Sequence, residues 1–392
     1  MDKLDCDVLI FGAGIIGLSM ALSLSQFGIK VIIVDHNNPN LKPICSIPSI
    51  RVSAINYASI EFFKKIGIWQ NIPLKFCTSY HRLETWEWPC AMVTFQSEYI
   101  GLPEMGYIIE NDRLKLALWK NVKHNEIITL CCPAKLLFLK YDDTHWTCIL
   151  NNKTAIHARF LIGSDGTYSQ IRKELGIGIM RFKYHQSCML LTVRIEKFNQ
   201  GTIWQYFTPH GPIGFLPLYD QWGSLMWFDT PECIQKLISL PIIKLEKQIE
   251  NNFFEKLGKI TLHNISVIPL IGQCANHYVS LRSALVGDAA HTIHPLVGQG
   301  INLGIRDVVE LSKLLICNSI LVENSYDLET LLKSYQINRR IDVYTMQFFI
   351  NCLYFIFHNN FLPLKITRNI AFMMINRFFF IKKQMLKYAI GI

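Results

Sequence analysis

The chain has 392 residues, half of them hydrophobic and 18% charged. That length allows two domains or one large interleaved unit, and the composition excludes wholesale disorder. The formal net charge is +9, but no nucleic-acid signature accompanies it; instead Val343 to Ile392 lacks Asp and Glu altogether, which suits a membrane surface or an acidic partner.

The 12 cysteines are scattered, with no Cys-x-x-Cys, as expected in a reducing compartment such as the cytoplasm. Met1 to Asp7 is acidic and runs directly into a strand, so no signal peptide is expected. No apolar run reaches the ~18–20 residues of a spanning helix. The nearest, Met346 to Phe357, is short and carries Gln347 and Asn351.

In chain order, Val8 to Phe11 reads as a short buried strand, followed by Gly12-x-Gly14-x-x-Gly17, a helical run from Leu18 to Gly28, and a second strand, Lys30 to Val34, ending at Asp35. Strand, glycine turn, helix, strand, acid is the dinucleotide-binding pattern. Gly12 makes the turn, Gly14 lets a pyrophosphate approach the backbone, Gly17 permits close packing, and Asp35 accepts from a ribose hydroxyl. The pattern does not separate NAD from FAD.

Arg51 then sits in a polar stretch before a helix from Ile60 to Ile66, and by itself reads as a solvated cation. His81 to Trp88 alternates as a strand does. A helix is expected from Leu114 to Trp119. An apolar strand ending at Gly163 delivers Asp165 and Gly166, with a helix carrying Arg172 behind. In isolation this is an ordinary Asp-Gly turn. From Arg181 to about Ile268 alternating aromatic runs dominate, reading as a mostly antiparallel sheet with a helix between Ile234 and Leu257.

After Val286 come Gly287, Asp288, His291, His294, Pro295, Gly298, Gly300 and Asn302, opening a helix from about Gly300. A glycine loop lets backbone come close to a ligand, and the unpaired N–H groups of a helix start favour negative charge. His291 and His294 without a third ligand make a poor metal site, and no metal is expected. Leu311 to Arg340 reads as helical, followed by a basic, aromatic end.

Gly12-x-Gly14-x-x-Gly17, Gly163-x-Asp165-Gly166 and Gly287-Asp288-Ala-Ala-His291 with Pro295 and Gly298-x-Gly300, in this order, resemble the FAD-dependent aromatic-ring monooxygenases of the para-hydroxybenzoate hydroxylase type. Within that family Arg51 with Ser53-Ala54-Ile55, and the loop from Pro295 to Asn302, look like the ubiquinone-biosynthesis hydroxylases. His81 to Trp88, Tyr184 to Leu190, Trp204 to Pro209 and Lys387 to Ile392 resemble their proteobacterial demethoxyubiquinol-hydroxylating branch. Asn111, where many relatives have arginine, and Ser164, where alanine is usual, depart from the pattern.

The resemblance implies an α/β fold: a Rossmann-like FAD-binding domain of the GR2 type (1–75, 105–180, 270–340), an inserted, mostly antiparallel β-sheet substrate domain (76–104, 181–269), and a helical C-terminal region (341–392). It implies that Gly12, Gly14, Gly17 and Asp35 hold the ADP half of FAD. Arg51 would face the flavin, Asp165 and Gly166 would serve both FAD and NAD(P)H, and Asp288 would bind the ribityl chain. Pro295, Gly298 and Gly300, with Asn302 behind, would lie at the flavin ring. It further implies an NAD(P)H- and O2-dependent hydroxylation of a polyprenyl benzoquinol through a flavin C4a-hydroperoxide. The setting would be cytoplasmic, beside the inner membrane and other ubiquinone-biosynthesis proteins. A sister hydroxylase acting at another ring position, a non-catalytic FAD-bound scaffold, and a flavin reductase stay open. No residue is assigned as general base. Trp204, Tyr206 and Phe215 are expected as core or, less favoured, as substrate wall. The basic end is expected either to dock on a membrane or partner or simply to pack on the core.

Overall fold

The computed structural model describes residues 3–38, 46–197, 201–294, 298–317 and 325–392. Its central sheet runs in the order Val279–Ser280, Ser283–Leu285, Ala155–Gly163, Lys3–Phe11, Val31–Val34, Ile128–Cys131. The four pairings from Ser283–Leu285 to Ile128–Cys131 are parallel. Val8 to Phe11 and Val31 to Val34 are buried on both faces, as parallel strands covered by helices must be. Leu136–Tyr141 and Trp146–Leu150 extend this sheet antiparallel from Ala155–Gly163; neither was read from the sequence.

The first helix, Ile15–Ser25, starts one turn earlier than its apolar run suggested, because Gly14 caps it. Arg51 precedes a strand, Val52–Asn56, with the helix Tyr57–Lys65 only after it. That strand pairs with Gly106–Glu110, which pairs in turn with Thr78–Tyr80.

The second large sheet runs His291–Thr292, Ile260–Ala275, Ile179–Ile195, Trp222–Asp229, Gly211–Pro217, Thr202–Thr208, Arg82–Trp86, Val93–Gln96. It is antiparallel except where Thr202–Thr208 meets Arg82–Trp86. The region expected to hold one helix holds two, Pro231–Ile238 and Ile242–Leu257. They cover one face of the sheet, where Met189, Leu191, Val193, Trp204 and Phe215 meet Ile234, Leu245 and Ile249. Period-two alternation sends Leu190, Ile203, Leu216 and Met226 to the other face.

The expected boundaries do not follow the elements. Ile260–Ala275 runs through the 269/270 boundary and pairs with His291–Thr292 of the glycine-acid loop. Thr78–Tyr80 belongs with Gly106–Glu110 rather than with the large sheet. The helix Ser325–Phe357 runs through 340/341. Long strands and a long helix thus make both regions one packed body, which composition shifts along the chain do not reveal.

Two further helices, Leu362–Arg377 and Phe379–Ile390, return to the body. Glu87, buried in the second sheet's neighbourhood, receives Arg368 through two nitrogens and Asn369 Nδ2 at 2.7 Å. Arg368 also donates to the Ile356 carbonyl at 2.7 Å, closing the end of the long helix.

Candidate active site

Three turns converge because three strands are in register. Phe11 pairs with Gly163, and Gly163 pairs with Leu285. The glycine turn at Gly12, the turn at Ser164–Gly166 and the turn at Gly287–Asp288 therefore leave neighbouring parallel strands at the same carboxyl edge. This is where open α/β sheets bind ligands. Residues roughly 270 positions apart in sequence are brought together by strand order alone.

The first turn is tightly braced. Gly12 has φ +107° and donates to the Val34 carbonyl at 2.8 Å. A Cβ on Gly12 would collide with the Ser164 carbonyl, and one on Gly17 with the Gly12 carbonyl. Ser164 fits by donating its hydroxyl to the carbonyls of Phe11 (2.8 Å) and Gly12 (3.1 Å). Asp35 Oδ2 accepts from the Ala13 amide at 2.7 Å, and its Oδ1 from Asn37 at 2.8 Å. An ionised carboxylate has about four acceptor positions, so lone pairs remain for a ribose hydroxyl.

Gly14 differs from its neighbours. A Cβ there meets nothing within 4 Å, and the residue opens the helix Ile15–Ser25 without a side-chain cap. Space above free amides is what an approaching phosphate requires. Gly14→Ala is therefore expected to leave the melting temperature of the flavin-free protein unchanged. It should weaken FAD binding by about 1.5–3 kcal/mol, the worth of a hydrogen bond to a charged group. Gly17→Ala should instead cost about 1–3 kcal/mol of stability through overpacking. Thermal melts with a flavin titration check both.

Asp165 is occupied locally. Its Oδ2 accepts from the amides of Gln170 (2.7 Å) and Ile171 (3.1 Å), at the start of the helix Gln170–Glu174. Its Oδ1 is buried with no partner among the described residues. The adjoining Thr167 and Tyr168, rather than Asp165 itself, border a cavity in front of these turns. Gly166 has φ +81°, and a Cβ there would meet no atom within 4 Å.

That cavity measures about 580 Å³. Arg51, Ser53, Asn111, Asp288, Gly298 and Gly300 lie on one side. Gly298 has φ +64°, and neither it nor Gly300 has an atom within 4 Å of a Cβ position. Gly300 begins the helix Gly300–Cys317, whose free amides sit at the cavity edge. Pro295 lies outside the described residues. The opposite side is the second sheet, with Leu190, Ile203, Gln205, Leu216, Ser224 and Met226. Leu386, Ala389 and Ile390 from the last helix close one end.

Asp288 is exposed to this cavity, and the protein around it raises its pKa, opposed by His291 and Arg51. Among the described residues no donor reaches its carboxylate. Asn111, the departure from the arginine of many relatives, accepts from Ser53 Oγ at 2.7 Å. Arg113 is turned away and buried against Glu110, with its guanidinium 3.5 Å from the Phe76 ring centroid.

Asn302 is a correction. It is 1% exposed and does not border the cavity. Its Oδ1 accepts from the Asn56 amide and Ser59 Oγ, both at 3.0 Å, and its Nδ2 donates to the Ala54 carbonyl at 3.0 Å. The amide group is spent tying the loop helix to Val52–Asn56, so it positions Arg51 and Gly300 relative to each other. Trp204 and Phe215 touch the cavity margin, but their rings stack on each other at 5.5 Å within the core behind the sheet, and Tyr206 packs on Trp86 there.

One group at the site had no sequence motif. Asp307, wholly buried, accepts from the Gly287 amide at 2.8 Å, lies 2.6 Å from His291 Nε2, and accepts from Arg339 Nε at 2.7 Å. Arg339 also donates to Asp342 at 2.7 Å, which Arg306 and the Tyr388 hydroxyl reach at 3.0 and 3.1 Å. Burial alone would raise the Asp307 pKa, but His291 and Arg339 outweigh it and hold it low. His291 is thereby a structural member of the loop. His294 is buried against Phe228 and Tyr184, and burial pushes its pKa down to about 4. The only available signal for Asp307 was its place on the apolar face of the helix, one turn after Gly304.

The three in-register turns, the glycine cradle with room at Gly14, Gly298 and Gly300, and a carboxylate opening into the cavity fit a bound dinucleotide. The profile of the FAD binding domain family matches residues 5–345. The chain belongs to that family. It is 40% identical over 386 residues to 3-demethoxyubiquinol 3-hydroxylase of Escherichia coli K12, covering 98% of each protein. It is 31% identical over 395 residues to the ubiquinone hydroxylase UbiL of Rhodospirillum rubrum, covering 98% of this chain and 89% of that one. Among solved structures, p-nitrophenol 4-monooxygenase PnpA of Pseudomonas putida DLL-E4 superposes with a TM-score of 0.78 at 14% identity, over 98% of this chain and 97% of that one. PqsL of Pseudomonas aeruginosa does so at 0.75 with 20% identity, over 91% and 97%. These two speak for the fold. For the family, FAD is the cofactor.

Proposed function

We infer that this protein is an FAD-dependent monooxygenase that hydroxylates the ring of a polyprenyl demethoxybenzoquinol in ubiquinone biosynthesis. The observation that carries the reading is the cavity: an FAD-type cradle on one side faces an apolar sheet on the other. The 40% identity along 98% of the chain supports the ring position. Bound FAD would supply the oxygen-transfer chemistry, with O2 as oxidant and NAD(P)H as electron donor.

The chain's own residues would supply binding and surroundings. Gly12, Gly14, Gly17 and Asp35 would hold the adenosine and pyrophosphate half; Arg51, Asp288, Gly298 and Gly300 would hold the flavin half. The N–H groups at the start of Gly300–Cys317 would stabilise negative charge developing beside them. Asp165 and Gly166 would serve the cofactor or donor from the neighbouring turn. Leu190, Ile203, Leu216 and Met226 would receive an apolar ring and exclude water. Gln205 and Ser224, with Thr292 at the sheet's edge, are polar side chains of that sheet at the cavity, and would orient ring oxygens. No histidine borders the cavity among its described residues. A polyprenyl tail has to be drawn from lipid or from a carrier, so the enzyme would work beside one or the other.

The test has two parts. Purified protein should be yellow and should consume O2 with NAD(P)H only when a quinol analogue is present. Deleting the gene should accumulate the demethoxy quinone, read by mass. Accumulation of an earlier ring intermediate moves the activity to another position, and flavin reduction without product makes the protein a reductase.

A further inference from the structure

The C-terminal helices are inside out. A surface helix of a water-soluble fold turns apolar residues to the core and polar ones to water. In Leu362–Arg377 the reverse holds. Arg368 and Asn369 are buried on Glu87, while Leu362, Ile366, Ile370, Met373 and Met374 are exposed. Their spacing of three or four residues puts them on one face. In Phe379–Ile390, Lys382 is buried beside Asn376 and over the Tyr99 ring, whereas Phe379, Phe380, Ile381 and Met385 are exposed, Phe380 at 70%. The long helix contributes a third exposed stripe, Ile341, Tyr344, Phe348 and Phe355. Contiguous exposed apolar surface marks an interaction site.

Charge selects the occupant. No Asp or Glu occurs from Val343 to Ile392. Arg377 is exposed, and Lys365, Lys383 and Lys387 are half-exposed around the apolar residues. A second copy of the chain would oppose these cations with cations of its own, which costs association free energy. An anionic lipid surface offers both an apolar layer and negative headgroups. Among the described residues no helix is long and apolar enough to cross a membrane, so the geometry is that of lying on one.

We propose that Leu362–Arg377 and Phe379–Ile390, with the exposed end of Ser325–Phe357, seat the protein on an anionic lipid bilayer. The apolar side chains enter the acyl boundary, and Lys365, Arg377, Lys383 and Lys387 reach the headgroups. Phe379–Ile390 carries both surfaces. Leu386 and Ile390 border the cavity while Phe380 and Met385 face outward, so a substrate tail would leave the cavity beside the lipid. That last point rests on the polyprenyl substrate proposed above; the lipid seat does not.

Co-sedimentation of the full-length, flavin-loaded protein tests it, independently of activity. The vesicles are phosphatidylcholine alone, or equal parts phosphatidylcholine and phosphatidylglycerol. The wild type should bind the anionic vesicles at least about ten-fold more tightly, from the attraction of several basic residues to the charged surface. Ile366→Ser, Ile370→Ser and Met374→Ser combined should lower binding about ten-fold or more through lost apolar burial, with flavin absorbance and melting temperature kept. Arg377→Glu with Lys383→Glu should remove the anionic preference. Wild-type protein left in the supernatant with anionic vesicles overturns the proposal, as does a serine variant that binds like wild type. A wild-type dimer that the serine variant splits into monomers assigns the face to a second copy and overturns it equally.

Discussion

Asp288→Ala is expected to purify colourless. Asp288 sits where the strand Ser283–Leu285 ends, and Gly287 at φ +59° turns its carboxylate into the cavity. Among the described residues it receives no protein donor, and the protein around the cavity raises its pKa. A carboxylate in that position keeps its acceptor positions open for a ligand that supplies donors. Hydroxyls of the cofactor's ribityl chain would do so. Hydrogen bonds to a charged group are worth about 1.5–3 kcal/mol, so flavin affinity should drop roughly ten- to hundred-fold. The flavin-free variant should melt close to the wild-type temperature, because the carboxylate removed is exposed to the cavity and holds no donor among the described residues. Absorbance of the purified protein, a flavin titration and melts of the flavin-free forms measure all three. A variant that stays fully yellow would show that the loop does not hold the cofactor.

Asp307→Ala should give the larger stability loss. The substitution leaves the Arg339 guanidinium, which is 5% exposed, without its Asp307 partner and with only Asp342 and the more distant Glu310, and it strips the Gly287 amide and His291 of their acceptor. Breaking a buried pair from one side costs about 3–5 kcal/mol. The glycine-acid loop should loosen with it, so flavin is lost as well. Changing both partners, Asp307→Leu with Arg339→Met, should recover part of the stability but not the flavin, since the Gly287 amide stays unheld. The wild-type pH dependence has a definite sign. The folded pKa of Asp307 lies below its ordinary 3.8. Its contribution is complete above that ordinary value and disappears as pH falls toward the folded one, where the unfolded chain binds the extra proton. Urea melts across this acid range should show stability falling with pH, less steeply in Asp307→Leu with Arg339→Met. An Asp307→Ala protein as stable as wild type would remove the buried network as the loop's anchor.

Local motifs were readable because each is a local physical requirement. Gly12 and Gly17 are glycine because a Cβ collides with backbone, and Asp35 is acidic because it braces Ala13 with oxygen to spare. Asn302 misled for the opposite reason. Its neighbours in sequence belong to the glycine loop at the cavity, but its side chain points at Asn56 and Ala54 in another part of the chain. The basic C-terminal end misled in part: its charge was legible, but not that Arg368 and Lys382 turn inward while phenylalanines turn out.

The sequence by itself determined the three turns, their residue types and the family they resemble, since glycine spacing and a following helix are set within about twenty residues. Only the tertiary structure decided that the turns share one edge, because strand order and register come from pairings across the whole chain. The same holds for the Asp307 and Glu87 networks, which join side chains 16 to 282 residues apart. A buried charge needs a partner, and which partner it finds is settled by packing, not by its neighbours in sequence.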